Sequence, residues 1–296
     1  MRYDTFQVPR PGGPLAVGRW GTGDRVLVAL HGLTGTHLFF QALADQLDGD
    51  GFTLVAPDMR GRGRSGSLPG PYGIAAHADD AVAVLDFLGI GDATFLGHSM
   101  GGFVAVVASA RTSDRVRDLV LVDGGLPLDV RGLAGLPIED VVKAITGPAL
   151  DRLRLTFESI EAYLDYWREH PAFAGAWNPY VERLYTYDLV GTAPELHSSV
   201  SADAVLEDSA SELKSGDVER ALSGLDHATT LVRAERGIFN QIPPLYPDGA
   251  LSSARAGIPQ LEVVDVPDVN HYTILLSTPG AEAVAGVVRA RLGRPG

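Results

Sequence analysis

The sequence predicts an α/β fold, in which a mostly parallel sheet is flanked by helices. Up to residue 125, short β-favouring runs alternate with helical patterns, and this alternation indicates βαβ units. Strand-like runs then give way to helical periods and return in "ATTLVRAE" and "QLEVVDV". Because the outer segments must pair into one sheet, we predict a core of residues 1–125 and 223–296, with residues 126–222 inserted as a helical lid.

Glycine or proline lies at the end of two predicted strands in the first part of the chain. The apolar run "VLVALHG" stops at Gly32 and "FTLVAPD" contains Pro57, as is typical of buried parallel strands. The other predicted elements are an antiparallel hairpin of "TFQVPR" and "PLAVGRW", helices over Thr36 to Leu47, Ile74 to Leu88 and from Met100, and strands over Ala93 to Gly97 and Asp118 to Gly125.

The second part of the chain is predicted to hold the lid and then the last strands. The stretch "FESIEAYLDYWREHPAFAGAWNPYVERLYTYDLV" has helical periods, turns at its prolines and many aromatic residues. Strands are predicted over Ala228 to Glu235 and Gln260 to Val266, and "GAEAVAGVVRARL" predicts a closing helix.

Composition excludes several classes of function. The formal net charge of −13 disfavours nucleic acid as a partner, because it repels phosphate backbones. No apolar window is long enough for a membrane helix and the first residues do not resemble a signal peptide, so we expect a cytoplasmic protein without membrane insertion. The chain has no cysteine, so any nucleophile must be oxygen or nitrogen.

The pentapeptide Gly97-His98-Ser99-Met100-Gly101 lies between a predicted strand and a predicted helix. It matches G-x-S-x-G, whose serine occupies a sharp, strained turn in that context. Small residues two positions before and after the serine let the strand and helix backbones approach closely. The sequence therefore predicts a nucleophilic serine; the alternative is a serine that only caps the helix.

Together with "HGLTG", "DMRGRGRSG" and "NHYTILL", this motif resembles those of the α/β-hydrolase family, over nearly the full length of the chain. The resemblance implies an eight-stranded, mostly parallel sheet, a lid inserted after the sixth strand, and a triad of serine, acid and histidine. It also implies an oxyanion hole formed by the backbone N–H groups of Leu33 and Met100.

The histidine of the triad is predicted to be His271, which lies in the loop after the last strand, where the family keeps this residue. An imidazole is needed because a serine hydroxyl is a poor nucleophile unless its proton is removed during attack. His31 and His98 lie in motif positions where histidine usually braces a loop, so we interpret both as structural. His170 and His197 belong to the predicted lid and are considered only as residues that could touch substrate.

The acid of the triad departs from the usual family pattern, because the expected aspartate position holds Gly237. Some family members carry the acid at the end of the sixth strand instead, where this chain has Asp123. We favour Asp123 and keep Glu235 as the alternative acid, because some carboxylate must orient the imidazole. Asp248, Asp265 and Asp268 are weaker candidates.

Aromatic residues of the predicted lid are mostly expected to pack against one another, but Trp167, Trp177 and Tyr187 are candidates for the substrate pocket. With serine as nucleophile, the resemblance implies a serine hydrolase that cleaves a hydrophobic carboxylic ester or lactone through an acyl-enzyme, without metal or organic cofactor. The alternatives are a carbon–carbon bond hydrolase, an amidase or a thioesterase with the same triad, and a noncatalytic, receptor-like protein that binds a ligand.

Overall fold

A sheet of eight strands forms the centre of the computed structural model, which describes residues 1–128, 131–133, 135–147 and 149–292. The strand order is β1-β2-β4-β3-β5-β6-β9-β10. β2 runs antiparallel to both of its neighbours, and all other neighbouring strands are parallel. The strands of this sheet are β1 (Tyr3–Arg10), β2 (Gly13–Gly21), β3 (Arg25–Leu30), β4 (Phe52–Pro57), β5 (Ala93–His98), β6 (Val116–Val122), β9 (Ala228–Arg236) and β10 (Leu261–Asn270).

Helices cover both faces of the sheet, as a buried parallel sheet requires. Successive residues of β3 belong to different hydrophobic clusters: Leu27 and Ala29 to one, Val28 and Leu30 to the other. The helices outside the segment between β6 and β9 are α1 (Gln41–Gln46), α2 (Ile74–Leu88), α3 (Met100–Arg111), α10 (Asp248–Gly257), α11 (Thr273–Leu276) and α12 (Thr278–Leu292).

The segment between β6 and β9 is mainly helical where the structure describes it. Its helices are α4 (Ile138–Thr146), α5 (Ala149–Arg152), α6 (Ile160–Arg168), α7 (Pro179–Asp188), α8 (Ala202–Lys214) and α9 (Asp217–Ser223). Side chains cap the N-termini of two of these helices. Ser159 accepts a hydrogen bond from the N–H of Ala162 at the start of α6, and Asn178 accepts hydrogen bonds from the N–H groups of Tyr180 and Val181 at the start of α7. Residues 129–130, 134 and 148 of the predicted lid, and 293–296 of the predicted core, lie outside the described residues.

The eight-stranded, mostly parallel sheet and its flanking helices confirm the predicted fold class. Three local predictions were wrong. The expected helix from Thr36 begins as a short 3-10 helix, His37–Phe40, before α1. The strand expected to reach Gly125 ends at Val122, and the inserted segment contains a small ribbon of β7 (Leu189–Val190) and β8 (His197–Ser198). Among the described residues, no helix combines the length and apolar character needed to cross a bilayer.

Candidate active site

Ser99 occupies the turn between β5 and α3, in a backbone conformation that L-residues rarely adopt. Its φ is 54° and its ψ is −125°, a strained geometry of the kind found at functional sites. The side chain is partly exposed, whereas the neighbouring His98 and Met100 are buried. The amide of Ser99 donates a hydrogen bond to the carbonyl of Val122 at 3.1 Å, which fixes the turn against the end of β6.

Glycines on both sides of Ser99 make this turn possible. A Cβ at Gly97 would lie 2.2 Å from the carbonyl oxygen of Gly101, and one at Gly101 would lie 2.0 Å from that of Leu30. Real Cβ atoms do not approach backbone oxygens so closely. The strand and the helix therefore pack as closely as the sequence pattern predicts, and this closeness directs Ser99 outward.

His271 and Asp123 lie together at the carboxyl end of the sheet, although 148 positions separate them in the chain. The Nδ1–H of His271 donates to Oδ2 of Asp123 at 2.7 Å. Asp123 is fully buried just beyond β6, and its Oδ1 accepts the N–H of Ala234 at 3.3 Å. Ser99, His271 and Asp123 line the same cavity, so the structure brings the three predicted triad residues to one place.

Leu33 and Met100, the predicted oxyanion-hole residues, also line this cavity. Met100 is the first residue of α3, where backbone N–H groups have no partner within the helix and the helix dipole favours negative charge. Among the described residues, no acceptor is paired with the N–H of Leu33 or of Met100. The carbonyl of Leu33 accepts a hydrogen bond from Nε of the fully buried Arg62 at 3.0 Å, a contact that sequence reasoning missed and that holds the loop in place.

His98 and His31 are buried beside the site and hold its loops. Nε2–H of His98 donates to the backbone carbonyl of His271 at 2.8 Å, and the ring stacks on Phe39. Nδ1–H of His31 donates to the carbonyl of Gly32, and its Nε2 accepts the N–H of Met59. Burial lowers the pKa of His31 to about 3. Burial also lowers the pKa of His98 well below its usual value, and the nearby His271 lowers it further. Both rings are therefore neutral braces at physiological pH.

Glu235, the alternative acid, lies elsewhere. Its side chain is exposed, and its carboxylate accepts the N–H of Asp268 at 2.8 Å. Asp265 and Asp248 pair with Arg233 on the surface. The structure thus pairs His271 with Asp123 and not with any of these carboxylates.

The three aromatic pocket candidates do not line the cavity formed by the described residues. The hydroxyl of Tyr187 donates to the buried carboxylate of Asp58 at 2.7 Å. Trp167 is buried against Tyr185, with ring centroids 3.8 Å apart, and Trp177 packs against other residues of the inserted segment. The prediction for these side chains was wrong because each is held by other partners within the protein.

His170 and His197 also lie outside the lining of this cavity, within the described part of the chain. Burial, with a smaller contribution from Arg152, lowers the pKa of His170 to about 4, and its Nδ1 accepts the N–H of Ala172. Neither histidine contributes to the site.

The cavity has a volume of about 90 Å³ and is partly open to solvent. Aliphatic side chains from the core and from the inserted segment contribute to its wall, among them Leu33, Leu128, Val142, Ile145, Leu213, Ile238 and Leu245. Glu212 of α8 is a lining residue that sequence reasoning missed. A signal for it exists, because Val205, Ser209 and Glu212 share one face of α8 by helical spacing, which places a carboxyl on a largely buried stripe. No group of His, Asp and Glu suited to hold a metal occurs among the described residues.

Comparison with known proteins supports the fold. Residues 25–161 match the family model described as alpha/beta hydrolase fold. Over 270 residues, 85% of the chain, the sequence is 29% identical to a 2-(acetamidomethylene)succinate hydrolase of Mesorhizobium japonicum, covering 83% of that protein. An esterase of Escherichia coli is 29% identical over 60% of the chain and 84% of the relative.

Other relatives match over shorter stretches. The chain spans 44% of the length of a putative non-heme haloperoxidase of Mycobacterium phage D29, at 37% identity over 42% of the chain. Among solved structures, an E-2-(acetamidomethylene)succinate hydrolase superposes with a TM-score of 0.81, at 23% identity, over 99% of this chain and 100% of that one. This similarity shows the shared fold.

Proposed function

We propose that the chain, whose residues 25–161 match the model of the alpha/beta hydrolase fold, is a serine hydrolase that cleaves a hydrophobic carboxylic ester or lactone. The observation that carries the proposal is the 2.7 Å hydrogen bond between His271 and Asp123 in the cavity that also holds the strained Ser99. Such a pair fixes the imidazole tautomer that accepts a proton from serine.

The proposed reaction proceeds through an acyl-enzyme. Oγ of Ser99 attacks the ester carbonyl while Nε2 of His271 takes its proton, and the buried charge of Asp123 stabilises the imidazolium that forms. The N–H groups of Leu33 and Met100 donate to the developing oxyanion. His271 then protonates the leaving alcohol, and a water molecule, deprotonated by His271, releases the acid and restores Ser99.

The cavity wall supports an uncharged, largely apolar substrate. Apolar side chains, aliphatic and aromatic, form much of it, and none of its described residues is lysine or arginine. The name of the Mesorhizobium relative specifies a succinate, a dianion that would here meet no lysine or arginine among the described residues of the wall. We therefore favour an ester or lactone whose hydrophobic portion contacts Phe103 and Leu213.

A fluorophosphonate probe tests the proposal directly, because it labels only an activated serine. We expect labelling of the parent protein and none of Ser99→Ala, and we expect turnover of p-nitrophenyl esters with the same dependence on Ser99. A series of rising chain length then measures the acyl length that the cavity accepts. A parent protein that neither reacts with the probe nor hydrolyses any ester would instead support a ligand-binding role.

A further inference from the structure

Glu212 is placed on the wall of the catalytic cavity by α8. Ser209, Glu212 and Leu213 all line the cavity, as the spacing i, i+3 and i+4 on one helical face requires. Ser99 and Leu33 line the same cavity. A carboxyl group therefore shares a largely apolar cavity with the proposed nucleophile.

The carboxyl of Glu212 has no hydrogen-bond or ion-pair partner among the described residues. Its neighbour Asp208, one turn earlier on α8, forms an ion pair with Arg62 at 2.6 Å, and its Oδ1 accepts hydrogen bonds from His77 at 2.9 Å and from the amide of Gly73. Two hydroxyls of the cavity wall are engaged, since Thr146 donates to Val142 and Tyr246 donates to Leu126. Within the part of the chain that the structure describes, Glu212 is thus a polar group of the cavity wall without a partner.

Burial raises the pKa of Glu212 to about 8, and the negative charge of Asp208 adds to this effect. At neutral pH the side chain is consequently an uncharged acid whose O–H can donate. The groups that interact electrostatically with Glu212 are Asp208 on the same helix and the phenol of Tyr246. His77 of α2 contacts Asp208, and α4, which packs against α8, carries the exposed Glu139, Asp140 and Lys143. The ionised Asp208 disfavours a second anion at this point.

We propose that Glu212 forms a specificity subsite that donates a hydrogen bond to an uncharged carbonyl oxygen of the substrate, remote from the bond that is cleaved. The inference rests on the proposed function, because it assigns the substrate class of the same cavity: oxo- or amido-acyl esters in preference to plain alkyl esters. A buried polar group left unpaired disfavours a purely apolar ligand, whereas a ligand that satisfies it gains affinity.

The experiment compares p-nitrophenyl alkanoates with their oxo counterparts, with the keto group moved stepwise from C4 to C7. Two variants are matched to the parent: Glu212→Gln keeps size and an N–H donor but cannot ionise, and Glu212→Met keeps size without a donor. The readout is the ratio of kcat/KM for the oxo and the alkyl ester. Intrinsic ester reactivity cancels when this ratio is compared between parent and variant.

At about pH 6.5 we expect the parent to prefer one oxo ester, Glu212→Gln to keep that preference within about 2-fold, and Glu212→Met to lose roughly 10-fold of it. At about pH 9.5 the parent, now ionised, loses the preference and Glu212→Gln retains it. No preference at any position, a preference that survives in Glu212→Met, or a preference for amino-acyl esters would overturn the proposal.

Failure of the proposed function is distinguishable from failure of this inference. Calorimetric binding of methyl oxoalkanoates and methyl alkanoates to Ser99→Ala needs no turnover. The proposal predicts tighter binding of one oxo ester to Ser99→Ala and loss of that difference when Glu212→Met is added. Equal binding of every oxo and alkyl pair to Ser99→Ala would refute the subsite, whatever Ser99 does.

Discussion

Replacing Asp123 with asparagine changes the proposed triad at one atom and keeps its shape. Oδ1 of Asp123 accepts the N–H of Ala234, so the asparagine oxygen is held at that position. Its amide nitrogen then faces Nδ1 of His271, where Oδ2 of Asp123 lies 2.7 Å away in the parent. Because that nitrogen can only donate, Nδ1 must become the acceptor and the proton moves to Nε2.

An imidazole with its proton on Nε2 cannot take a proton from Ser99. We therefore expect Asp123→Asn to lower kcat for p-nitrophenyl esters by two orders of magnitude or more, which corresponds to about 3 kcal/mol of transition-state stabilisation. Initial rates under saturating ester measure this loss. The matched control is Glu235→Gln, which alters an exposed carboxylate bonded to Asp268 and should stay within about 2-fold of the parent.

Thermal unfolding of both variants separates catalysis from folding, since an isosteric change that keeps the bond to Ala234 should leave Tm near that of the parent. If Asp123→Asn retained near-parental rates while Glu235→Gln lost them, the acid assignment would be wrong. A loss of rate in Asp123→Asn that is matched by a large drop in Tm would refute the tautomer argument and make Asp123 a residue of stability.

Three further predictions concern the same site. Gly101→Ala places a Cβ 2.0 Å from the carbonyl oxygen of Leu30, so we expect a marked loss of folded protein, measured by soluble yield and Tm; unchanged yield and Tm would contradict the close packing. His98→Phe keeps the stacking on Phe39 but removes the donor to the carbonyl of His271. We therefore expect kcat to fall roughly 10-fold while Tm changes little. An unchanged kcat would argue against a positioning role of His98. The pKa of Glu212 is raised from 4.5 to about 8 in the folded state, so the free energy of unfolding of the parent falls as pH rises between these values. Urea unfolding at about pH 5 and pH 9 should show this fall, of up to about 5 kcal/mol, in the parent and not in Glu212→Gln. The same pH dependence in both proteins would contradict the prediction.

Much of the fold was predictable because its signals are local. Glycine and proline end the strand-like runs, and apolar residues alternate between the two faces of β3, so the order of strands and helices follows from short windows of sequence. The ribbon of β7 and β8 gave no such signal, because each strand has two residues and owes its pairing to the surrounding helices. The turn that carries Ser99 was predictable from an equally short stretch of sequence, since the glycines that shape this turn lie within two residues of Ser99.

The side chains that shape the substrate cavity were not predictable in this way. Aromatic character suggested that Tyr187 faces the pocket, yet its hydroxyl is bonded to Asp58, 129 positions away. Whether an aromatic side chain packs or lines a cavity depends on partners that only the folded chain brings near. The predicted oxyanion residue Leu33 was identifiable by motif, but the support of its carbonyl by Arg62 was not.

Arg62 joins the inserted segment to the loop that carries Leu33. It donates to the carbonyl of Leu33 and pairs with Asp208 of α8 at 2.6 Å, and the side chains of Arg62 and Asp208 are fully buried. Breaking such a buried pair leaves an uncompensated charge, so α8 cannot shift without disturbing the loop that carries the proposed oxyanion donor. The helix that positions Glu212 is therefore fixed relative to Ser99 and Leu33 by the same ion pair. Because Asp208 anchors the helix through this ion pair, the carboxyl of Glu212, which has no partner among the described residues, is left for the ligand of the proposed subsite.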